Sequence, residues 1–210
     1  QSAEGYVETL DAFLQPDDPN SVYWIERDDR ALAALAEISA AYPGKLTVIP
    51  GDALETDYAR LAAGTPTKIV ANLPYNIATP LLIGWIGSGE WSPFYESLTL
   101  MFQKEVAERI VAKSGGKEFG RLSVLCQYRA TAKKLFDVNR SAFTPPPKVT
   151  SSIVQLMPKA NPEPECRLEV LERVTAAAFG QRRKMLRASL RNLLPEPEAL
   201  LGELGIDPEL

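Results

Sequence analysis

The stretch of sequence that decides the fold is KIVANLPYNIATP, residues 68–80. Lys68 to Ala71 has the length and composition of a strand, and the turn-forming Asn72 follows at once. A helical pattern runs from about Thr79 to Ile86, so the stretch predicts a strand, a loop and a helix. Residues 69–89 carry no charge. We expect no membrane span, because amides and prolines this frequent would leave polar groups unsatisfied in lipid.

The same strand-turn-helix unit recurs on both sides of this stretch. Further strands are predicted at Val22–Ile25 before Glu26, Leu46–Ile49 before Gly51-Asp52, and Leu98–Phe102. Asp28 or Asp29 is expected to cap a helix that ends before Pro43-Gly44, and a short helix is expected over Tyr58–Ala63. This alternation predicts a three-layer α/β fold, in which helices cover a mostly parallel sheet.

The pattern changes after residue 129, where a closing edge and a helical appendage are expected. Ala130–Phe136 and Ser152–Met157 can pair, and the prolines at 145–147 predict a stiff loop between them. The remaining predicted helices are Val106–Lys113, Leu122–Tyr128, Leu168–Phe179 and Arg183–Leu194. We therefore expect a main domain over 1–158 and a small helical domain over 159–210.

Composition excludes several kinds of chemistry. The 210 residues are 45% apolar and 24% charged, which is enough to bury a core, and none is histidine. Imidazole bases, Ser-His and Cys-His nucleophiles, and histidine-containing zinc sites are thereby excluded. Cys126 and Cys166 lie forty positions apart, which indicates neither a disulfide framework nor a metal cluster. We expect no metal site and a reducing, cytoplasmic setting, since residues 1–20 lack the pattern of a secretory signal.

Charge is distributed unevenly along the chain. Residues 1–100 hold 14 acidic and 5 basic side chains, whereas residues 101–191 hold 8 acidic and 18 basic ones. With a net charge of -4, a polyanion must bind a local patch rather than the protein as a whole. The asymmetry suggests two ligands of opposite sign, although solvated surface charge is the alternative.

Polar side chains follow three of the predicted strands. In doubly wound sheets ligands bind beyond the carboxyl ends of the strands, which places Glu26, Asp52 and Asn72 around one crevice. Glu26 is suited to accept from ribose hydroxyls, and Asp52 from an exocyclic amine. The alternatives are a helix-capping or solvated glutamate and an ordinary turn aspartate. The glycine-rich loop that normally lies about 20 residues before such an acid is not found, since Gly5 alone stands there.

The four residues Asn72-Leu73-Pro74-Tyr75 carry the sharpest chemical signal. A base amine is a poor nucleophile, so an enzyme that uses it needs fixed acceptors for its N–H groups. The Asn side-chain oxygen and a carbonyl held by proline supply two acceptors, and a tyrosine face can stack on the base. Such a site needs no histidine when the electrophile is already activated, as a sulfonium methyl is. An ordinary turn is the alternative.

Longer segments give these residues a family context. Residues 72–80 resemble the catalytic motif of the ribosomal RNA adenine dimethyltransferases that use S-adenosylmethionine. The family's further motifs have similar counterparts, in family order, at residues 101–109, 120–124, 143–149 with Ser151, and 179–186. The resemblance covers about residues 21–195, and it implies that the main domain is incomplete at its N-terminus and the helical domain at its C-terminus.

The resemblance implies a class I methyltransferase fold. It also implies dimethylation at N6 of two adjacent adenines near the 3′ end of small-subunit (16S) ribosomal RNA. By matched position Glu26 would hold the cofactor ribose and Asp52 its adenine amine, with Ala53 and Asn72 completing the cofactor site. Asn72 would also contact the target N6, within the catalytic set Asn72, Leu73, Pro74, Tyr75 and Phe143. Tyr75 and Phe143 would sandwich a flipped base.

A basic segment is expected to hold RNA. Arg182, Arg183, Lys184, Arg187 and Arg191 lie between Phe179 and Leu194 without an acid. In one helix, Arg183, Arg187 and Arg191 would share a face, and Lys104, Arg121 and Lys148 would extend the patch. The alternative is a solvated amphipathic helix.

Three other functions compete with the small-subunit enzyme. Relatives methylate one adenine of large-subunit RNA, and others bind nucleic acid without catalysis as transcription factors. DNA adenine methylation is disfavoured because Leu73 stands where that group usually has proline. The match at 143–149 favours small-subunit ribosomal RNA as the substrate. We expect a monomeric enzyme whose partner is a pre-ribosomal particle.

Overall fold

The computed structural model describes residues 21–87, 91–181 and 184–209. They form two compact units: residues 21–63 with 140–148, and residues 64–139 with 149–209. The α/β class and the parallel pairing within the βα units are confirmed. The predicted boundary near residue 158 differs from this division and stays a prediction.

The first unit is built on two parallel strands and a helix. Strand β1 (Val22–Glu26) pairs with β2 (Leu46–Pro50), and helix α1 (Asp29–Ala41) joins them. Asp28 caps α1, because its carboxylate accepts the N–H of Arg30. Leu35, Ile38 and Leu46 form the small core of this unit.

A short helix and a turn complete the first unit. Helix α2 (Tyr58–Ala62) begins after Asp57, whose side chain accepts the N–H of Arg60, and it ends at Ala63, which adopts a left-handed conformation with φ 48°. Residues 140–148 hold a 3-10 turn, Arg140–Ala142, and an irregular loop. The loop predicted from the prolines is confirmed.

The second unit contains a four-stranded sheet in the order β3-β4-β6-β5. Strands β3 (Lys68–Ala71) and β4 (Ser97–Gln103) are parallel, whereas β6 (Ser151–Pro158) runs antiparallel to both β4 and β5 (Ala130–Val138). The predicted closing pair is therefore confirmed. Because β6 runs antiparallel to β4, its first residue lies at the carboxyl end of β4.

Helices cover one face of this sheet. They are α3 (Tyr75–Gly87), α4 (Lys104–Val111) and α5 (Arg121–Arg129), all in contact with its strands. The covered face buries Leu98, Leu100, Phe102, Val154 and Leu156 completely or nearly so. On the opposite face Val70 is 69% exposed and Phe136 is 58% exposed, so the predicted third layer stays a prediction for the described residues.

Helix α3 begins four residues before the predicted Thr79. The carbonyl of Pro74 accepts the N–H groups of both Ile77 and Ala78, which starts the helix at Tyr75 and leaves Pro80 inside it. Pro80 is the sixth residue of the helix, so its missing N–H removes the usual bond to the carbonyl of Asn76. The residues before Pro80 are thus helical rather than loop.

The C-terminal helices differ from the prediction. Helix α6 (Leu168–Gly180) agrees with it, but the helix predicted over Arg183–Leu194 is wrong in its second half, because α7 spans only Leu186–Leu190. The chain turns after Leu190 and reaches Pro195, which disfavours helical geometry in the residue before it. A further helix, α8 (Pro197–Glu203), was not predicted. No helix in the described ranges is long and apolar enough to cross a membrane.

Candidate active site

The junction between β3 and α3 forms the centre of the candidate site. Ala71 is the last residue of β3, and Asn72 follows it with an exposed side chain. Leu73 is half-buried, and the carbonyl of Pro74 is engaged by the first N–H groups of α3. The turn therefore holds Asn72 between a strand and a helix, whose positions are set by the sheet and the core.

Tyr75 is tied to a distant strand. Its hydroxyl oxygen lies 2.7 Å from Oγ of Ser151, at the start of β6, and the two share a hydrogen bond. Ser151 is fully buried. The antiparallel direction of β6 explains the contact, since it brings Ser151 beside Gln103 at the carboxyl end of β4, next to β3.

A shallow depression lies along the same edge of the sheet. It has a volume of about 330 Å³ and is lined by Gln103, Lys104, Glu105, Glu108, Val149 and Thr150. The N–H of Lys104 donates to the carbonyl of Thr150 at 2.9 Å, which fixes the start of α4 against the residues before β6. The carboxyl ends of β3 and β4 thus share their edge with an open, mixed-charge surface.

Lys104, one of the predicted RNA-binding residues, has a partner within the protein. Its Nζ lies 2.9 Å from Oδ2 of Asp137, whose Oδ1 accepts from Ser152 at 2.7 Å and pairs with Lys134 at 3.1 Å. Hydrogen bonds from Ser152, Lys104 and Lys134 hold the pKa of Asp137 well below its usual range. The hydrogen bond to Asp137 in turn raises the pKa of Lys104. A phosphate at Lys104 would have to share the ammonium with Asp137.

In the first unit, Glu26 ends β1 with one oxygen already bonded. Its Oε1 accepts the N–H groups of Arg27 at 2.8 Å and Asp28 at 2.9 Å. These two N–H groups precede α1, whose cap is Asp28, so Glu26 binds local backbone without capping the helix. Neither of these two bonds involves Oε2, so the carboxylate retains acceptor capacity for a ribose hydroxyl.

Asp52 lies near Glu26 because β1 and β2 are neighbours. The N–H of Gly51 donates to the carbonyl of Glu26 at 2.9 Å. Oδ1 of Asp52 accepts the N–H of Leu54, and Oδ2 pairs with Arg27 at 3.0 Å. The turn role is thus present as well, and an incoming amine would compete with the Arg27 guanidinium.

Ala53 contributes its backbone to a local bond. Its carbonyl accepts from the hydroxyl of Tyr58 at 2.8 Å. Burial, together with the charge of Asp52, raises the pKa of Tyr58 to about 12. The phenol is therefore protonated at neutral pH and keeps the turn at residues 52–58 closed.

Phe143 belongs to the first unit, whereas Asn72 and Tyr75 belong to the second. Phe143 is half-buried, and its N–H donates to the carbonyl of Arg140 at 3.2 Å. The crevice uniting Glu26, Asp52 and Asn72 and the sandwich of Tyr75 with Phe143 join residues of different units. Both stay predictions.

The predicted helical face of arginines stays a prediction. Arg187 lies in α7, but Arg191 follows its end, and Arg182 and Arg183 lie outside the described residues. Arg187 pairs with Glu209 at 3.3 Å and Arg191 with Glu198 at 3.4 Å. The remaining predicted RNA-binding residues have exposed side chains: Lys184, Arg121 and Lys148.

Sequence reasoning missed the partners of these residues. Arg27 stands next to Glu26 but was assigned no role. Asp137 lies in a lysine-rich strand, three residues after Lys134, and this spacing could have indicated their ion pair. Ser151 was noticed only as part of a motif. Its contact with Tyr75 spans 76 positions, and no local pattern announces it.

The chain resembles known proteins over most of its length. The family model for ribosomal RNA adenine dimethylase matches residues 18–209. The chain is 59% identical over 184 residues to ribosomal RNA small subunit methyltransferase A of Rhodopseudomonas palustris (strain BisA53), covering 88% of this chain and 64% of that protein. The protein of that name from Azorhizobium caulinodans is 60% identical over 183 residues, or 87% and 62% of the two chains. The chain thus spans slightly less than two thirds of these relatives.

Two solved structures resemble the fold. A dimethyladenosine transferase from Plasmodium falciparum gives a TM-score of 0.70 at 29% identity, over 90% of this chain and 68% of that one. The 23S rRNA methyltransferase ErmE gives 0.67 at 26% identity, over 90% and 75%. With the family model covering nearly the whole chain and the Asn72–Tyr75 turn at the end of a sheet strand, this protein belongs to the ribosomal RNA adenine dimethylase family.

Proposed function

We propose that this protein transfers methyl groups from S-adenosylmethionine to N6 of two adjacent adenines near the 3′ end of small-subunit ribosomal RNA. The observation that carries the proposal is the Asn72–Tyr75 turn. Asn72 is exposed at the end of β3, and the ring that follows it is held by a hydrogen bond to Ser151. High identity to small-subunit methyltransferases supports the choice of substrate.

The acidic residues of the first unit suit the cofactor. A ribose offers hydroxyl donors and an adenine offers an amine, so a cofactor of this kind needs acceptors. Glu26 and Asp52 supply carboxylate oxygens at neighbouring strand ends, with the Ala53 backbone beside them. This donor and acceptor chemistry fits, and Glu26, Asp52, Ala53 and Asn72 are the residues that would hold the cofactor.

When bound, S-adenosylmethionine supplies a methyl group made electrophilic by a sulfonium. The residues of this chain act on the adenine. Oδ1 of Asn72 would accept an N–H of the target amine, and the Leu73 carbonyl, directed by the peptide to Pro74, would accept the other. These two hydrogen bonds fix the direction of the amine lone pair. The proton that the amine loses after methyl transfer passes to water. No histidine is needed for this role.

Base recognition rests on aromatic rings. Tyr75 presents a ring at the first turn of α3, and stacking on one base face stabilises an extruded base by about 1–3 kcal/mol. Phe143 would contact the opposite face. A base in a helix is otherwise out of reach, so extrusion is part of the proposal.

RNA would be held by the basic side chains. Lys184, Arg121 and Lys148 are exposed, and Arg187 and Arg191 take part in partly exposed ion pairs. Pairs of this kind contribute about 0–1 kcal/mol, so phosphates can displace the acids. Contacts of this kind position RNA without reading its sequence, so a pre-ribosomal particle in the cytoplasm would supply the specificity to a monomeric enzyme.

Large-subunit ribosomal RNA is the second candidate substrate. The fold resembles a solved 23S rRNA methyltransferase at a TM-score of 0.67, close to the 0.70 of the dimethyladenosine transferase. Geometry of the fold alone therefore does not separate the two substrates.

The test uses labelled methyl transfer. The chain is incubated with methyl-labelled S-adenosylmethionine and, separately, with undermethylated small-subunit particles and with large-subunit particles, and the RNA is digested to nucleosides. We expect label in dimethyladenosine from the small-subunit particle alone. Label confined to the large-subunit particle would replace the proposal with the second candidate, and absence of label from both would refute methyl transfer by this chain.

A further inference from the structure

We propose that Ser151 is a positioning residue, which sets the ring of Tyr75 at the angle needed to stack on the target base. The inference deepens the proposed function and rests on it. It adds a residue that acts on the base only through Tyr75, from a strand that supplies none of the acceptors.

The geometry of the bond supports this role. The two hydroxyl oxygens are 2.7 Å apart, a short distance typical of a well-formed O–H···O bond. Ser151 has no exposed surface, whereas Tyr75 is half-buried at the start of its helix. The bond therefore joins a fixed point in the sheet to the tip of a half-buried ring.

Ser151 is itself held firmly. Its register places it beside Gln103 of β4 and Val138 of β5, so strands flank it on both sides. A serine has one short side-chain torsion, and its hydroxyl position follows directly from the backbone of β6. A tyrosine at the first turn of a helix has more freedom, because few helix neighbours constrain it. The serine removes that freedom at the end of the ring.

The neighbouring serine has a different task, which separates the two. Ser152 projects to the opposite face of β6 and donates to Asp137 at 2.7 Å. The two adjacent serines thus form hydrogen bonds on opposite faces of β6, Ser151 with Tyr75 and Ser152 with Asp137. Ser151 is the one that reaches the Asn72–Tyr75 turn.

The consequence concerns binding of the base. A ring without its anchor samples other rotamers, and only a fraction of the molecules present it correctly. Apparent affinity for the stacked base falls by that fraction. The loss of one such hydrogen bond corresponds to a change of about five- to tenfold.

The experiment measures stacking directly and does not require methyl transfer. An undermethylated small-subunit particle whose RNA carries 2-aminopurine at the target position is titrated with the full chain, and the quenching of its fluorescence reports stacking on an aromatic ring. The variants are Ser151→Ala, Ser151→Thr, Tyr75→Phe, Tyr75→Ala and the double variant Ser151→Ala/Tyr75→Phe. Ser39→Ala is the matched control, because it also removes a serine hydrogen bond, of 2.8 Å to Leu46, within the first unit.

We expect Ser151→Ala and Tyr75→Phe each to weaken the quenching titration by about five- to tenfold. The double variant should be no weaker than either single one, since both remove the same bond. Ser151→Thr should restore most of the affinity, and Ser39→Ala should match the unaltered chain. Thermal unfolding of each variant shows whether the fold is kept, and the threonine variant retains the test if alanine unfolds the chain.

The outcomes separate the two proposals. Additive losses in the double variant, or wild-type quenching by Ser151→Ala while Tyr75→Ala abolishes it, would overturn the role of Ser151 and leave the proposed function intact. Unchanged quenching by Tyr75→Ala, or no quenching by the unaltered chain, would refute base stacking at this turn and with it both proposals.

Discussion

Arg27 and Asp52 form an ion pair across the ends of two parallel strands, with Nη1 of the arginine 3.0 Å from Oδ2 of the aspartate. The arginine side chain is 79% exposed, and the aspartate is 27% exposed. The pair thus occupies one oxygen of the carboxylate that we assign to the cofactor adenine. Because the Arg27 side chain is the more exposed partner and Asp52 is held by the Leu54 N–H, we expect the arginine to move when a ligand arrives.

This arrangement predicts opposite effects for the two residues. Asp52→Ala removes a charged acceptor and should weaken S-adenosylmethionine binding by about ten- to a hundredfold. Arg27→Gln removes the ion pair that competes with the cofactor for Asp52. Because an exposed ion pair contributes little free energy, cofactor binding should strengthen by about two- to fivefold. Calorimetric titration of both variants measures the affinities. Weaker binding by Arg27→Gln would show that the arginine serves the cofactor itself.

Asn72→Ala should separate catalysis from RNA binding. The amide acts on the target amine rather than on phosphates, so methyl transfer should fall by at least about a hundredfold while RNA affinity changes by less than about twofold. Single-turnover transfer and filter binding measure the two quantities. Asn161→Ala, an exposed asparagine in the linker before α6, is the control. Equal loss of both activities would mean that the turn has been misassigned.

The acidic residues near the C-terminus should compete with RNA. Glu198 and Glu209 pair with Arg191 and Arg187, so replacing both glutamates by glutamine frees two cations and should strengthen RNA binding. The double variant Arg187→Ala/Arg191→Ala should weaken RNA binding. It should also reduce the slope of the logarithm of affinity against the logarithm of salt concentration by about 0.7–0.9 per lost phosphate contact. Affinity measured against salt concentration distinguishes these results. Unchanged salt dependence in the arginine variant would place the RNA elsewhere.

The Asp137 cluster should contribute stability in a defined range of pH. The pKa of Asp137 lies below its usual value of 3.8 in the folded protein, so the folded state favours the carboxylate. Its contribution is present above pH 3.8, the unfolded value, and is lost as the pH falls through the lower folded value. Asp137→Asn should therefore lower the urea midpoint at pH 7 and pH 5, and the difference from the unaltered chain should shrink below pH 3.8.

A matched control isolates the cluster from general acid effects. Glu163→Gln removes an exposed linker carboxylate and should leave the urea midpoint unchanged at each pH. A difference between Asp137→Asn and the unaltered chain that persists undiminished at the lowest pH would contradict the assignment of the charge.

Local chemistry made much of the fold predictable. The strand before Asn72, the cap at Asp28 and the loop of prolines each follow from a few adjacent residues, and the structure confirms them. Helix ends were harder. Arg191 caps α7 with helical backbone angles, but the chain leaves the helix before Pro195, so α7 is shorter than the spacing predicts.

Long-range partners account for what the sequence did not reveal. Ser151 meets Tyr75 because β6 runs antiparallel to β4, and that register depends on pairing across the whole sheet. Asp137 meets Lys104 through the same set of strands. The sequence therefore nominated the candidate residues, whereas their existing bonds, with Arg27 on Asp52 as the clearest case, required coordinates.

The most direct measurement is calorimetric titration of S-adenosylmethionine into this 210-residue chain, with Asp52→Ala titrated in parallel. The account predicts saturable binding with a Kd on the order of micromolar for the unaltered chain, and a clear loss in the variant. Absence of binding heat from the unaltered chain, or equal affinity in both, would contradict the claim that these strand ends hold the methyl donor.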